Sequence, residues 1–224
     1  QLDLEVAALD KLTTEITKPI TCIIGGSKIS TKIDIIKNLI PKFDNIIIVG
    51  GMANNFIEYF GNNIGKSIKE KNCHEIVDQI ISLSEKNECR IIYPDDVLVS
   101  KYLNGSPVNK ELNRILPDEM ILDIGPKTIS KITNIIDKSK TILWNGPAGY
   151  FENPQFSKGS FEIGNQIEVQ SKKVDIEKFE KLMRVLYGNM KMHHSHKYPL
   201  NLLSVLQIYD HFFPLQDKTL YFLK

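Results

Sequence analysis

Short apolar runs alternate with amphipathic stretches through the first 167 residues. Apolar runs rich in isoleucine and bounded by glycine or proline are typical of strands buried on both faces of a parallel sheet. The predicted strands are ITCIIGG (20–26), NIIIVGG (45–51), CRIIYP (89–94), EMILDIGP (119–126) and TILWNGP (141–147), and residues 95–109 are expected to hold a further short strand and a turn. The predicted helices cover residues 2–16, 29–40, 53–60, 73–86, 128–137 and 157–167.

This alternation predicts an α/β fold, a parallel sheet sandwiched by helices in a Rossmann-like three-layer arrangement. Four strands end in glycine-containing turns, which are GGSK, GGMA, DIGPK and WNGPAG. Ligands bind beyond the carboxyl ends of parallel strands, and glycine lets a backbone come close to a ligand. We therefore expect the four turns to converge on one ligand site at one edge of the sheet.

Composition narrows the function classes. The 224 residues carry a net charge of +1, with 42% hydrophobic and 25% charged residues, as in ordinary soluble globular proteins. Neither a nucleic-acid partner nor a membrane is expected, because there is no overall basic charge and no run approaching about 20 apolar residues. The three cysteines are far apart and form no CxxC pair, so a reducing cytoplasm is the simplest location.

Two lysines, Lys28 and Lys32, follow the first glycine turn. They could bind a phosphate group near a helix N-terminus, or they could be solvated lysines on a helix face; spacing alone does not decide. GNNIGKS (61–67) has one residue too few for a P-loop and follows a helix, so it is interpreted as a surface turn. No GxGxxG follows the first strand, and a Rossmann dinucleotide site is therefore not supported.

Several carboxylates lie near predicted strand ends: Asp95, Asp96, Asp123 and Glu152. Aspartates in such loops are more often turn formers or helix caps than metal ligands, whereas Glu152 could accept hydrogen bonds from ribose hydroxyls. The HHSH segment (193–196) is interpreted as a polar loop, so no metal ligands are predicted. Trp144 is expected in the core. From about residue 168 the strand–turn–helix rhythm stops, although residues 174–187 could form an amphipathic helix.

Taken in order, the segments IIGGSKISTK, IIIVGGMANNF, IGKS, YPDDVLVS, MILDIGPKT and LWNGPAGYFE, with FSKGS after it, resemble the carboxyl-terminal, nucleotide-binding domain of phosphoglycerate kinase. The resemblance covers residues 1–167, with 1–16 as the interdomain helix, and leaves 168–224 as a divergent tail. It implies a glycolytic phosphotransferase, usually monomeric, that moves a phosphoryl group between 1,3-bisphosphoglycerate and ADP to give 3-phosphoglycerate and ATP. The implied cofactor is Mg²⁺ carried with ADP or ATP.

The resemblance also implies roles for individual residues. Lys28 and Lys32 would be the catalytic lysines on the phosphate side, and Glu152 would bind the ribose hydroxyls. The floor beside the nucleotide would be formed by Gly25, Gly26, Gly50 and Gly51, and the adenosine and phosphate cleft would be lined by Asn145, Pro147 and Gly149. Val49 stands where the family commonly has a third glycine, which would make the floor tighter.

Some family features do not occur in these 224 residues. The chain starts at Gln1 near the expected hinge, without a counterpart of the glycerate-binding domain, and neither GGGD[ST] nor the last glycine-rich motif follows FSKGS. The aspartate of GGGD[ST] helps to hold the metal–nucleotide complex in the family. We therefore expect the sheet to be incomplete at its C-terminal strands, leaving an apolar edge, and the isolated chain to be inactive. A separate amino-terminal chain could complement it; the alternative is a non-catalytic nucleotide-binding remnant of a broken gene.

Overall fold

A computed structural model of the chain describes residues 17–172 and 221–223. The strands are β1 (Ile20–Ile24), β2 (Asn45–Ile48), β3 (Arg90–Ile92), β4 (Asp96–Ser100), β5 (Val108–Glu111), β6 (Met120–Ile124), β7 (Thr141–Asn145) and β8 (Tyr221–Leu223). The helices are α1 (Ile33–Leu39), α2 (Ala53–Tyr59), α3 (His74–Lys86), α4 (Pro126–Lys138) and α5 (Lys158–Lys172). Short 3₁₀ helices cover Gly50–Met52, Leu112–Arg114 and Pro154–Phe156. The predicted helices 2–16 and 174–187 and the HHSH segment lie outside the described residues.

The main sheet has the strand order β3-β2-β1-β7-β8, and its first four strands are parallel. Cys22 of β1 lies opposite Ile46 on one side and Leu143 on the other. Helices flank this sheet, which confirms the predicted α/β three-layer fold. β8 pairs antiparallel with the outer edge of β7, with Phe222 opposite Leu143, so a segment of the tail covers the apolar edge that was expected to be exposed.

The strands are apolar on both faces because both faces are covered. Along β1, the side chains of Cys22 and Ile24 pack in one core with those of the first three helices, whereas Ile23 packs in a second core with residues of α4 and α5. This is the period of two that a strand imposes. Trp144 is 3% exposed in the second core, as predicted. A third, smaller core includes Val97 and Ile64.

One predicted strand does not belong to the parallel sheet. β6 lies in a separate antiparallel sheet of order β5-β4-β6, so the DIGP turn does not join the parallel edge as expected. The reason is that residues 96–111 hold two strands where one was expected: β4 pairs with β6 on one side and with β5 on the other. The turn after β6 closes on β4, where the Gly125 N–H donates to the Asp96 carbonyl at 2.9 Å.

Helix bounds agree with the prediction except at two places. The helix predicted from residue 29 begins at Ile33, because the N–H and hydroxyl of Ser30 are bonded to Glu70 and hold residues 29–32 in a turn. α5 runs to Lys172, past the predicted helix end at residue 167. The boundary between the nucleotide-binding domain and the divergent tail, placed at residue 167, stays a prediction. No helix among the described residues is long and apolar enough to cross a membrane.

Candidate functional site

Three of the glycine turns meet at the carboxyl ends of β1, β2 and β7. Backbone hydrogen bonds connect them: Gly25 N–H donates to the Asn145 carbonyl at 2.7 Å, and Gly50 N–H donates to that of Ala148 at 3.0 Å. A third bond runs from Met52 N–H to the Gly26 carbonyl at 2.7 Å. The turns therefore form one continuous floor, built from segments about 25 and about 100 residues apart in sequence.

Several positions in this floor require glycine, and Gly25 and Gly50 show the two reasons. A Cβ on Gly25 would lie 2.1 Å from the Pro147 carbonyl oxygen, far inside contact distance. Gly50 has a φ of +67°, in the left-handed region, and a Cβ there would lie 3.0 Å from the Gly26 nitrogen. Glycine at these points lets neighbouring backbones approach each other, and a ligand, more closely than any side chain permits.

Val49, at the position where the family commonly has a third glycine, does not belong to the floor of the cleft. Val49 is extended and fully buried, and it packs in the second core with residues such as Ile47. Its side chain is not among the residues that line the cleft above the floor. The expectation of a tighter floor at this residue therefore has no support in the cleft lining.

Lys32 lies at the junction of two of the turns. It is partly buried just before α1, and its ammonium donates to the Gly25 carbonyl at 3.2 Å and to the side-chain oxygen of Asn145. The two residues predicted for the site are thus in direct contact, although 113 positions separate them. Lys28, in contrast, is exposed, and its ammonium makes no ion pair or hydrogen bond within the described part of the chain.

A cleft of about 370 Å³ opens beside the floor. Its lining contains most of the predicted binding residues, which are Gly26, Gly50, Gly51, Asn145, Pro147, Gly149 and Glu152. Gly25, Lys28 and Lys32 are not part of the lining. Part of the lining is an apolar wall that includes Ile57, Ile68, Val97 and Leu103. Ile68 is 63% exposed and Leu103 50% exposed, so this wall presents apolar surface to solvent where a ligand could cover it.

The carboxylates near strand ends have separate roles. Asp96, the first residue of β4, accepts hydrogen bonds from the backbone N–H groups of Lys127 at 3.1 Å and Thr128 at 2.8 Å, and so satisfies the first turn of α4 from outside the helix, whose own N-cap is Gly125. Asp95 pairs with Lys131 at 3.0 Å. Glu152 is exposed at the rim of the cleft.

Asp123 is the buried carboxyl group of the site. It is 1% exposed, lines the cleft, and accepts hydrogen bonds from the N–H groups of Gly159 at 2.8 Å and Ile124 at 2.9 Å. Burial raises its pKa from 3.8 to about 7, against the opposing effect of the two N–H donors. A Cβ on either Gly149 or Gly159 would lie 2.4 Å from its Oδ1, so the chain is built closely around this carboxyl group.

The described residues offer little to a metal ion. They contain no group of three or more histidine, cysteine, aspartate or glutamate side chains that could hold one. Within the cleft, both oxygens of Asp123 already accept backbone hydrogen bonds, which leaves Glu152 at the rim as the exposed carboxylate of the lining. This donor set does not fit a protein-held Mg²⁺ site.

Sequence reasoning named Asp123 as a carboxylate near a strand end but did not predict its burial. The burial could have been suspected from the small residues Gly149 and Gly159, which leave room for a buried carboxyl group. The apolar wall formed by Ile68 and Leu103 gave no signal, since single apolar residues in predicted loops are common.

Comparison with known proteins places this site in context. A family model described as phosphoglycerate kinase matches residues 1–177. Curated phosphoglycerate kinases of Zymomonas mobilis and of the Wolbachia of Culex pipiens are 38% and 43% identical over 170 and 162 residues, which is 75% and 71% of this chain. The match covers 43% and 40% of those relatives, so the chain spans about two fifths of their length.

Solved structures give the same relationship. The fold is similar to that of phosphoglycerate kinase from Coxiella burnetii, with a TM-score of 0.72 and 30% identity over 81% of this chain and 49% of that one. The Pyrococcus horikoshii enzyme matches with a TM-score of 0.59 and 25% identity, over 74% of this chain and 43% of that one.

Proposed function

The chain belongs to the phosphoglycerate kinase family, and we propose from this membership that it carries the nucleotide-binding part of an enzyme that transfers a phosphoryl group between 1,3-bisphosphoglycerate and ADP. One observation supports this most strongly: the turns after β1, β2 and β7 form a single glycine floor beside a cleft that has lysines near one end and a glutamate at its rim. A nucleotide needs such a combination of close backbone, positive charge and a hydroxyl acceptor. The three cysteines are free, in keeping with a cytosolic location.

The residues would share the work as follows. The exposed ammonium of Lys28 would contact the phosphates, and the adjacent Lys32 would add positive charge from its position against Asn145. Glu152 would accept hydrogen bonds from the ribose hydroxyls, and the apolar wall would cover the base. Phosphoryl transfer relies on alignment and charge stabilisation, so these groups would act by positioning the nucleotide.

The metal and the acceptor would come from elsewhere. Because the described donor set does not fit a protein-held Mg²⁺, we propose that the ion arrives on the nucleotide phosphates. The acceptor would need a glycerate-binding unit, within a longer chain or as a separate one. Residues 1–224 on their own are therefore proposed to bind nucleotide without turnover.

Calorimetry with ADP and adenosine tests the binding part of this proposal. Lys28→Ala should weaken ADP binding about tenfold, as expected for loss of a charged hydrogen bond to phosphate, and leave adenosine binding unchanged. Lys42→Ala, which removes an exposed lysine at the other end of α1, is the matched control. Equal ADP affinity in the wild type and the Lys28 variant would refute the phosphate role.

A coupled assay on the 224-residue chain tests the catalytic part. No turnover is expected without a glycerate-binding unit, and turnover near that of a full-length relative would overturn the proposed inactivity. Binding of ADP without restored activity, even when the amino-terminal domain of a relative is added, would favour the alternative, a non-catalytic nucleotide-binding module. Failure to bind ADP at all would contradict both.

A further inference from the structure

We propose that Asn153 is a positioning residue that joins the two loops at the mouth of the cleft and thereby sets the affinity for the nucleoside half of the nucleotide. This inference rests on the proposed function. The first loop, residues 101–107, connects β4 to β5; the second, residues 146–157, connects β7 to α5. The side-chain amide of Asn153 donates to the Leu103 carbonyl at 2.8 Å, across 50 positions of sequence.

Both ends of this amide are occupied. While Nδ2 donates to Leu103, Oδ1 accepts from the Gln155 N–H at 3.0 Å and so caps the short helix Pro154–Phe156. Exchanging the amide oxygen and nitrogen would place a donor against a donor and an acceptor against an acceptor. The orientation of Asn153 is therefore fixed by its own contacts.

Both loops contribute to the lining of the cleft. Leu103 belongs to the apolar wall, and Tyr150, Phe151 and Glu152, directly before Asn153, are lining residues from the second loop. The bond thus connects the wall proposed to cover the base with the carboxylate proposed to hold the ribose. Among the described residues, it is the hydrogen bond that links loop 101–107 to loop 146–157.

Each loop is also held by other hydrogen bonds, within itself or to a neighbouring strand. In the first, Gly105 N–H donates to the Tyr102 carbonyl at 2.9 Å, and Tyr102 N–H donates to the Ser100 hydroxyl at 3.3 Å. In the second, Tyr150 N–H donates to the Leu122 carbonyl at 2.6 Å. Loss of the Asn153 bond should therefore leave both loops folded and alter their separation, so that binding must restore the spacing.

Asn153→Asp is the sharpest variant, because it keeps an oxygen for the Gln155 N–H and removes the donor to Leu103. Asn153→Ala removes both bonds without adding a charge. Asn63→Asp is the matched control: Asn63 likewise donates to a distant carbonyl, that of Ile115 at 3.2 Å, and accepts from the Gly65 N–H at 3.0 Å, but it does not line the cleft.

Both Asn153 variants should bind ADP and adenosine about three- to tenfold more weakly than the wild type, the loss expected for one hydrogen bond. Binding of inorganic pyrophosphate should not change, whereas general destabilisation would weaken all three ligands. The Asn63 variant should bind all of them normally. If the wild type binds ADP and both Asn153 variants bind it within twofold of the wild type, the inference is overturned.

Hydrogen exchange of the ligand-free proteins gives a readout that does not depend on the proposed function. Amides of residues 101–107 should exchange faster in Asn153→Asp than in the wild type, while Asn63→Asp should leave them unchanged. Unchanged exchange in Asn153→Asp would refute the joining role even if the chain bound no nucleotide. Faster exchange without wild-type ADP binding would instead contradict the proposed function and leave the loop connection established.

Discussion

Raising the pH from 5 to 8 should destabilise the chain through one buried carboxyl group, that of Asp123. Burial raises its folded-state pKa to about 7, whereas the unfolded chain should show the ordinary value of 3.8. Between these two values the folded chain keeps a proton that the unfolded chain has released. The stabilisation is therefore fully present below about pH 4, falls as the pH rises towards 7, and is lost above the folded pKa.

The size of the effect follows from the two pKa values. Each unit of difference is worth about 1.4 kcal/mol, and integration between pH 5 and pH 8 gives a loss of about 2.5 kcal/mol in the free energy of unfolding. That is a large fraction of the roughly 5–15 kcal/mol that stabilises a typical domain. Carboxylates whose pKa is lowered, such as Asp44 and Glu119, titrate below this range and should not mask the effect.

Urea unfolding at pH 5, 6, 7 and 8, followed by the fluorescence of the single, buried Trp144, would measure this loss. Asp123→Asn cannot titrate, so its free energy of unfolding should lack the loss of about 2.5 kcal/mol between pH 5 and pH 8. The variant should still be less stable than the wild type at every pH, because its amide nitrogen faces a backbone N–H. Asp34→Asn, at an exposed position in α1, should keep the wild-type slope. The same slope in the wild type and the Asp123 variant would refute the reasoning.

Two further changes test the floor and the second sheet. Gly25→Ala should cost about 3 kcal/mol or more in the free energy of unfolding, because its Cβ would meet the Pro147 carbonyl oxygen at 2.1 Å. The control Gly61→Ala, with a φ of +82° and no atom within 4 Å of its Cβ, should cost about 1 kcal/mol. Equal losses in urea unfolding would contradict the clash argument. Glu119→Gln should cost about 2 kcal/mol at pH 7, because the carboxylate accepts from Lys110 at 2.7 Å. Burial alone would raise the pKa of Glu119, but the hydrogen bonds from Lys110 and Leu116 lower it below 4.5. The difference in the free energy of unfolding between the Gln variant and the wild type should therefore disappear in acid, where the carboxylate is protonated. A difference that persists in acid would refute the pairing.

The parallel sheet could be predicted because its signal is local. A run such as NIIIVGG is apolar on both faces of a strand and ends in glycine, and this combination specifies a buried strand and a tight turn without reference to the rest of the chain. The helices were predictable for the same reason. α4, for example, buries Ile129, Ile132 and Ile136, which recur at the spacing of one helix face.

The sheet to which β6 belongs could not be predicted in the same way. MILDIGP has the same local pattern as the strands of the parallel sheet, and its assignment depends on a partner elsewhere in the chain. That partner is β4, whose pairing with β5 required a hairpin that the mixed composition of residues 95–109 did not reveal. Strand pairing is a non-local property, and the pattern within one strand does not encode it.

The two lysines of the first turn show how contact changes an interpretation based on spacing. Sequence placed Lys28 and Lys32 on an equal footing, four residues apart, whereas in the structure Lys32 already donates to Asn145 and to the Gly25 carbonyl, and Lys28 is exposed. Any phosphate that Lys32 binds must compete with, or be added to, these two contacts, because an ammonium has only three donors. Removing Lys32 would thus disturb the junction of the β1 and β7 turns as well as the charge, which makes Lys28 the better residue for isolating the contribution of charge to phosphate binding.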